Sequence, residues 1–365
     1  MDNSLIALGL MSGTSLDGVD ASIIKSDGDN ILEIIDNRYF SYPLNFKNRL
    51  SSFIEKITKK DDIYKNFDEY NSLEREITSY HSQLSQDIIK KNSSEVQLIG
   101  FHGQTIIHKP KEGYSIQMGN ARLLSQNLKK KVIYNFRLND IKNGGEGAPL
   151  TPIYHKLLSK LIYDDKPVLI LNIGGISNYT FCYKEKLYAK DIGPGNVLID
   201  KYLKKTRNIY YDEDGNIAES GKINIDIINQ FYEHEFYNVG KKLSFDINEF
   251  DINFVKGLDF EDAVATLTYF TAFIISENIK RNIKNNPAII ICGGGRKNKT
   301  LINHLKKLLI SKINLIDDFN FDGDFIESQA FAYLSIRSCL NKTLTFPTTT
   351  NVNKPVSGGL ESNNF

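Results

Sequence analysis

Cysteine is scarce in this chain. Cys182, Cys292 and Cys339 are far apart and odd in number, which fits neither a disulfide framework nor a CxxC metal site, so each reads as a small core hydrophobe. Net charge is also lacking. The 365 residues carry 45 Lys or Arg against 44 Asp or Glu, a formal charge of +1, and that balance excludes a nucleic-acid binder working through a broad basic face. Lys129, Lys130 and Lys131 read as a solvated surface patch. No hydrophobic run approaches the roughly 18 to 20 uncharged residues of a membrane-spanning helix. The opening MDNSLIALGLMSGTSLDG has no basic start and is broken by Gly9, Ser12 and Gly13, so it is not read as a signal peptide. A soluble, cytoplasmic protein with no membrane partner is expected. Several chemical signatures are missing too: there is no HExxH, no metal-ligand spacing among His81, His108, His155, His234 and His304, no GxSxG elbow, no Walker A lysine and no GxGxxG after a strand.

What is present is an alternating pattern. The length exceeds what one core usually supports, so two domains are expected. Residues 5–10 read as a strand, 12–18 as a glycine-rich turn and 19–24 as a returning strand. Leu73, Ile77, Tyr80, Leu84 and Ile88 recur at helical spacing. A buried strand at 96–101, a helix at 120–131 and a strand at 132–136 follow, which predicts an α/β architecture. The pattern then begins again, with a strand at 168–173, a Gly174-Gly175 turn and a strand at 177–182. A short strand at 186–190 precedes a helical run at 197–203. Phe260, Val264, Leu267, Phe270 and Ile274 share one helical face, a strand covers 288–292, and helices start near 298 and span 328–340. This predicts a duplicated α/β unit. Gly144, Gly145, Gly147 and Pro149 put the domain boundary between 132 and 150, in a segment that suits either a hinge or a binding loop.

Five segments carry chemistry. In GLMSGTSLDGVD (9–20), small residues leave backbone N–H groups open to a phosphate, the hydroxyls of Ser12, Thr14 and Ser15 add donors, and Asp17 could hold Mg²⁺. An ordinary polar hairpin tip with an Asp-Gly turn accounts for the same composition. In NIGGISN (172–178) and CGGG (292–295), glycines permit close approach of backbone to a ligand. Together the three outline a nucleotide held between two similar domains. In DIGPGN (191–196), Asp191 stands at a strand end on a rigid turn, placed as a general base or as a cap of the next turn. His102, Gly103, Gln104 and Thr105 follow a strand and offer polar groups suited to sugar hydroxyls.

In this order, with QMGN (117–120), NFRLNDIKNGGEGAPLTP (135–152), CGGGRKN (292–298) and ESQAFAYL (327–334), the chain resembles the anhydro-N-acetylmuramic acid kinase family of the actin-like ATPase and sugar-kinase superfamily. The resemblance implies two actin-like, ribonuclease H-like domains facing a central nucleotide and sugar cleft. One would be 1–133 with 341–365, the other 134–340. It implies an enzyme of cell-wall recycling that uses ATP, Mg²⁺ and water on 1,6-anhydro-N-acetylmuramic acid to give the 6-phosphate and ADP. A kinase for another anhydrosugar such as levoglucosan, or a non-catalytic ATP sensor, would share the scaffold. Asp191 would be the base. Gly13, Thr14, Ser15, Leu16, Asp17, Gly18, Val19, Asp20, Asn172, Gly174, Gly175, Ser177, Gly293, Gly294 and Gly295 would grip ATP, with Asp17 toward the metal. His102, Gln104, Gly195, Asn196 and Glu327 would contact the sugar, and a homodimer is implied. Ile192, Glu146, Asn120, Asn135 and Asn351 depart from the family pattern, where Thr, Gln, Asp, Asp and Gly are usual.

Overall fold

The computed structural model describes residues 3–13, 15–92, 95–231, 251–284 and 286–365. Its strands, in chain order, are β1 (Leu5–Ser12), β2 (Gly18–Ser26), β3 (Leu32–Ser41), β4 (Leu98–Lys109), β5 (Tyr114–Met118), β6 (Lys131–Tyr134), β7 (Val168–Ile173), β8 (Ile176–Tyr183), β9 (Lys186–Pro194), β10 (Ala288–Cys292), β11 (Ile313–Leu315) and β12 (Leu360–Ser362). They form two sheets. In the first the order is β12-β6-β4-β1-β2-β3, with β5 added to β4. In the second it is β11-β10-β7-β8-β9.

Both sheets follow one path. β1, β2 and β3 pair antiparallel, and β4 and β6 then extend the sheet parallel to β1. β7, β8 and β9 pair antiparallel, and β10 and β11 extend that sheet parallel to β7. This repeat is the duplication expected from the two glycine-tipped hairpins. β1 and β7 are apolar on both faces, as strands covered on both sides must be.

The helix expected from Leu73 to Ile88 spans Phe67–Lys91 and buries Leu73, Ile77, Leu84 and Ile88 against the first sheet's core. The helix Phe260–Asn282 buries Val264, Leu267, Phe270 and Ile274 in the second unit. Cys182 and Cys292 are buried and Cys339 is partly buried, as expected of core hydrophobes. Among the described residues, no helix is long and apolar enough to cross a membrane.

The chain divides into Met1–Leu157 with Phe325–Phe365, and Leu158–Asp324. These limits differ from the expected boundaries at 133/134 and 340/341. The segment after β6 stays with the first unit because its side chains are tied there: the Tyr154 hydroxyl donates to Gln329 Oε1 at 2.8 Å, and the Thr350 hydroxyl to Asp140 Oδ2 at 2.5 Å. The helix Ile326–Cys339 also belongs to the first unit, where it packs on β1, β2 and β4. Two glycines permit that approach. A Cβ on Gly9 would lie 1.9 Å from the Ser328 carbonyl oxygen, and one on Gly100 would lie 2.1 Å from that of Phe331. The glycine cluster at 144–147 lies within the first unit.

Candidate functional site

In the first unit, the β1–β2 turn is braced from below. The Ser12 hydroxyl donates to Gln104 Oε1 at 2.7 Å and accepts from the Tyr42 hydroxyl at 3.0 Å, all three groups being buried. The Gly13 backbone is open: a Cβ there would meet nothing within 4 Å. Ser15 and Asp17 are exposed, and Asp17 forms an ion pair with Lys47. Leu16 and Val19 are buried, so only their backbone can face a ligand. Gly18 is required by packing, since a Cβ would stand 2.1 Å from the Phe40 carbonyl oxygen. Asp20 lies within β2 opposite Met11 and Tyr39. Thr14 lies outside the described residues.

His102 and Gln104, expected as sugar contacts, are buried in β4. Arg137 Nη2 lies 2.9 Å from His102 Nε2. A guanidinium only donates, so Nε2 accepts and the proton sits on Nδ1, 2.8 Å from the Gly103 carbonyl oxygen. His102 is thus neutral, its pKa held well below the usual histidine value by burial and by Arg137. It positions Arg137 rather than presenting a free nitrogen. Arg137 also donates from Nη1 to the Gly147 carbonyl at 2.7 Å, and its Nε is buried without a partner. Burial lowers its pKa to about 10, opposed by the carboxylates of Glu327 and Asp140. Glu327 is partly buried in the first turn of its helix, and burial pushes its carboxyl above the usual range while Arg137 opposes the shift.

Arg137 was missed at the sequence level as a site residue. It sits inside the quoted segment NFRLND, but on a non-periodic turn whose partners are distant in the chain.

In the second unit, three expected segments meet at one end of the sheet. The amides of Gly195 and Asn196 donate to the carbonyls of Gly175 and Gly174 at 2.8 Å each, which straps the Gly193–Gly195 turn to the β7–β8 turn. A Cβ on Gly195 would lie 2.2 Å from the Gly174 carbonyl oxygen. The loop after β10 closes on the same place, where a Cβ on Gly293 would lie 2.3 Å from Asn172 Oδ1 and one on Gly295 2.3 Å from Ile173 Cγ2. Gly174 and Gly294 are different. Added Cβ atoms there would meet only ordinary contacts, at 3.6 and 3.9 Å. What the missing side chains do at Gly13, Gly174 and Gly294 is leave backbone uncovered, the surface that oriented amides need to receive an anion. Ser177 is fully buried, with its hydroxyl donating to the Pro194 carbonyl, so it closes the turn rather than reaching outward.

Asp191 pairs opposite Asn178 in β9 and is partly buried. Ile192 is the extra residue of a bulge facing Ser177 and Asn178, and its side chain is 1% exposed in the core with Leu171 and Ile173. The bulge re-aims the strand beside Asp191. Apolar burial accounts for an isoleucine at 192.

Arg296, also missed, is 5% exposed and chelated by Asp317 at 2.7 and 3.1 Å and by Asp324 at 2.7 Å, while its Nη1 donates to the Gly293 carbonyl at 3.2 Å. It fixes the 293–295 loop.

For a metal, the described residues hold no group of three or more His, Cys, Asp or Glu able to form a site. The single exposed carboxylate of Asp17 suits an ion that arrives with phosphate oxygens and keeps water ligands, as Mg²⁺ does.

A family profile described as anhydro-N-acetylmuramic acid kinase matches residues 5–361. The anhydro-N-acetylmuramic acid kinase of Pelagibacter ubique is 48% identical over 376 residues, covering 100% of both chains. Those of Zymomonas mobilis and Methylorubrum populi are 37% and 35% identical, over 97% and 98% of this chain and 99% and 98% of their own. With a profile spanning nearly the whole chain and full-length relatives at these identities, the chain belongs to the anhydro-N-acetylmuramic acid kinase family.

Proposed function

We propose that this protein is an ATP-dependent kinase that opens 1,6-anhydro-N-acetylmuramic acid with water and phosphorylates it to N-acetylmuramic acid 6-phosphate, releasing ADP, in cell-wall recycling. The observation that carries the reading is the pair of hairpins at equivalent places in two sheets of the same topology, each with a glycine whose backbone is left uncovered without packing need.

The chemistry assigns separate tasks. Asp191 takes a proton from the water that attacks the anomeric carbon; the bond from that carbon to oxygen 6 breaks, and oxygen 6 attacks the γ-phosphorus as ADP leaves. In the first unit, Arg137 and Glu327 recognise the sugar, with His102 bracing Arg137, while Gln104 braces the β1–β2 turn through Ser12. In the second, Gly195 and Asn196 hold the turn beside Asp191 in place. The backbone around Gly13 and Asp17, Gly174 and Gly175, and Gly293 to Gly295 holds ATP, so that positioning and fixed dipoles supply most of the rate. Asp17 is the residue that would hold Mg²⁺, which supplies charge neutralisation on the phosphates. The near-neutral composition is compatible with this, because local amides rather than global charge meet the polyanion. A cytoplasmic homodimer is the assembly implied by the resemblance, and light scattering should read twice the monomer mass.

The deciding test is mass spectrometry of the product after incubation with ATP and either the anhydromuramic sugar or levoglucosan. Addition of both phosphate and water to the former is expected. Turnover of levoglucosan alone would overturn the reading.

A further inference from the structure

The loop that carries Gly144, Gly145 and Gly147 is wrapped around one buried carboxylate. Asp140 is 1% exposed; its Oδ1 accepts the Gly147 amide at 2.6 Å and its Oδ2 accepts the Thr350 hydroxyl at 2.5 Å. Its backbone carbonyl accepts the Gly145 amide at 2.9 Å, and a Cβ on Gly145 would lie 2.1 Å from Oδ1. The segment around 350 grips the loop a second time, since the Glu146 amide donates to the Thr350 carbonyl at 2.7 Å and the Asn353 amide to the Asn143 carbonyl at 3.2 Å. From the far side of the same loop, the Gly147 carbonyl receives Arg137 Nη1.

We infer that Asp140 and Thr350 are positioning residues for sugar recognition: Thr350 fixes the Asp140 carboxylate, Asp140 fixes Gly147, and the Gly147 carbonyl with His102 Nε2 fixes the plane of the Arg137 guanidinium. The segment 349–353 is thereby part of the acceptor-binding machinery, although Thr350 lies 210 residues from Asp140 in sequence. The reason is geometric. A guanidinium has five donors in a fixed fork, and with two branches held by Gly147 and His102 its remaining donors have one orientation. Loosening the loop frees that fork to rotate, which weakens binding of the sugar and leaves the glycine turns that serve ATP untouched.

This inference rests on the assignment of Arg137 to the sugar, and the test separates the two. Thr350→Val keeps the shape and removes the hydroxyl; Thr350→Ser restores it. A lost hydrogen bond to a charged acceptor corresponds to about a tenfold effect or more. In T350V the KM for 1,6-anhydro-N-acetylmuramic acid is expected to rise about tenfold, with KM for ATP within about twofold of the parent, and T350S is expected to recover the parent value. Independently of any substrate, amide hydrogen exchange over residues 143–149 should accelerate about tenfold in T350V. Unchanged exchange, or a rise in both KM values together, would overturn the inference. Accelerated exchange in a protein whose parent form never acts on the sugar would leave the Asp140 strut standing and reject the assigned substrate.

Discussion

At the scale of single residues, local chemistry was readable where a residue acts through its own type and hidden where it acts through a distant partner. Asp191 draws attention in the sequence by its place just before Gly-Pro-Gly; the strand expected to end at Lys190 runs on to Pro194, so Asp191 lies within β9, next to the bulge at Ile192. Asp191→Asn should lower turnover by about 10² to 10⁴, the usual contribution of a general base, while ATP binding measured by calorimetry stays near the parent value. Persisting turnover would remove it from the base role. The departures from the family pattern also become intelligible one at a time. Asn120 caps the helix Ala121–Leu128 by accepting the Leu123 amide at 2.9 Å, a task either Asn or Asp performs. Glu146 and Asn351 meet each other, with Asn351 Nδ2 3.3 Å from Glu146 Oε1. Asn351 holds φ at +59°, which explains why glycine suits that position. Nothing in the sequence reveals that His102 and Gln104 face inward, because their burial follows from strands and loops that converge from far along the chain.

At the scale of elements, hydrophobic period placed most strands and helices, and the hairpin repeat foretold the repeated sheet. The glycines near 145 suit a hinge or a binding loop in the sequence, and in the structure Gly145 packs on the Asp140 carboxylate while the Gly147 amide donates to it. The glycines sort into two kinds with opposite predicted behaviour. Gly100 lies beneath the helix Ile326–Cys339, so Gly100→Ala should destabilise the protein by about 1 to 3 kcal/mol, as overpacking does, read as a lowered urea midpoint. Gly294 has room for a methyl group, so Gly294→Ala should leave that midpoint nearly unchanged and raise KM for ATP. A large stability loss in G294A would show that the loop after β10 is glycine-rich for packing alone.

At the scale of the whole molecule, buried histidines shape the response to acid. Burial lowers His81 and His108 to about 4 and His155 to about 3, and holds His102 well below its usual value of 6.5. His81 shows the cause plainly: its Nδ1 proton goes to the Ile77 carbonyl at 2.8 Å, and Nε2 is buried with no partner to receive a second proton's hydrogen bond. Between about pH 6.5 and 4 the unfolded chain therefore binds protons that the folded chain refuses, so stability present above 6.5 is lost as pH falls, at about 1.4 kcal/mol per pH unit for each such histidine. Glu327 and Asp212, pushed upward by burial, act in the opposite sense and temper the loss. Urea unfolding at pH 7 and pH 5 should show the decline, and His81→Gln should flatten it by one proton. An unaltered slope in H81Q would mean that His81 titrates normally.

The first unit is assembled from both ends of the sequence, with Leu158–Asp324 interposed between its parts. During synthesis, strands β1, β2 and β4 are made early, but the helix that lies across Gly9 and Gly100 follows only after the interposed unit is complete, and Thr350 later still. The apolar face of the first sheet is thus left uncovered for most of translation. The second unit is one continuous stretch of chain, so all of its residues are in place before those that complete the first.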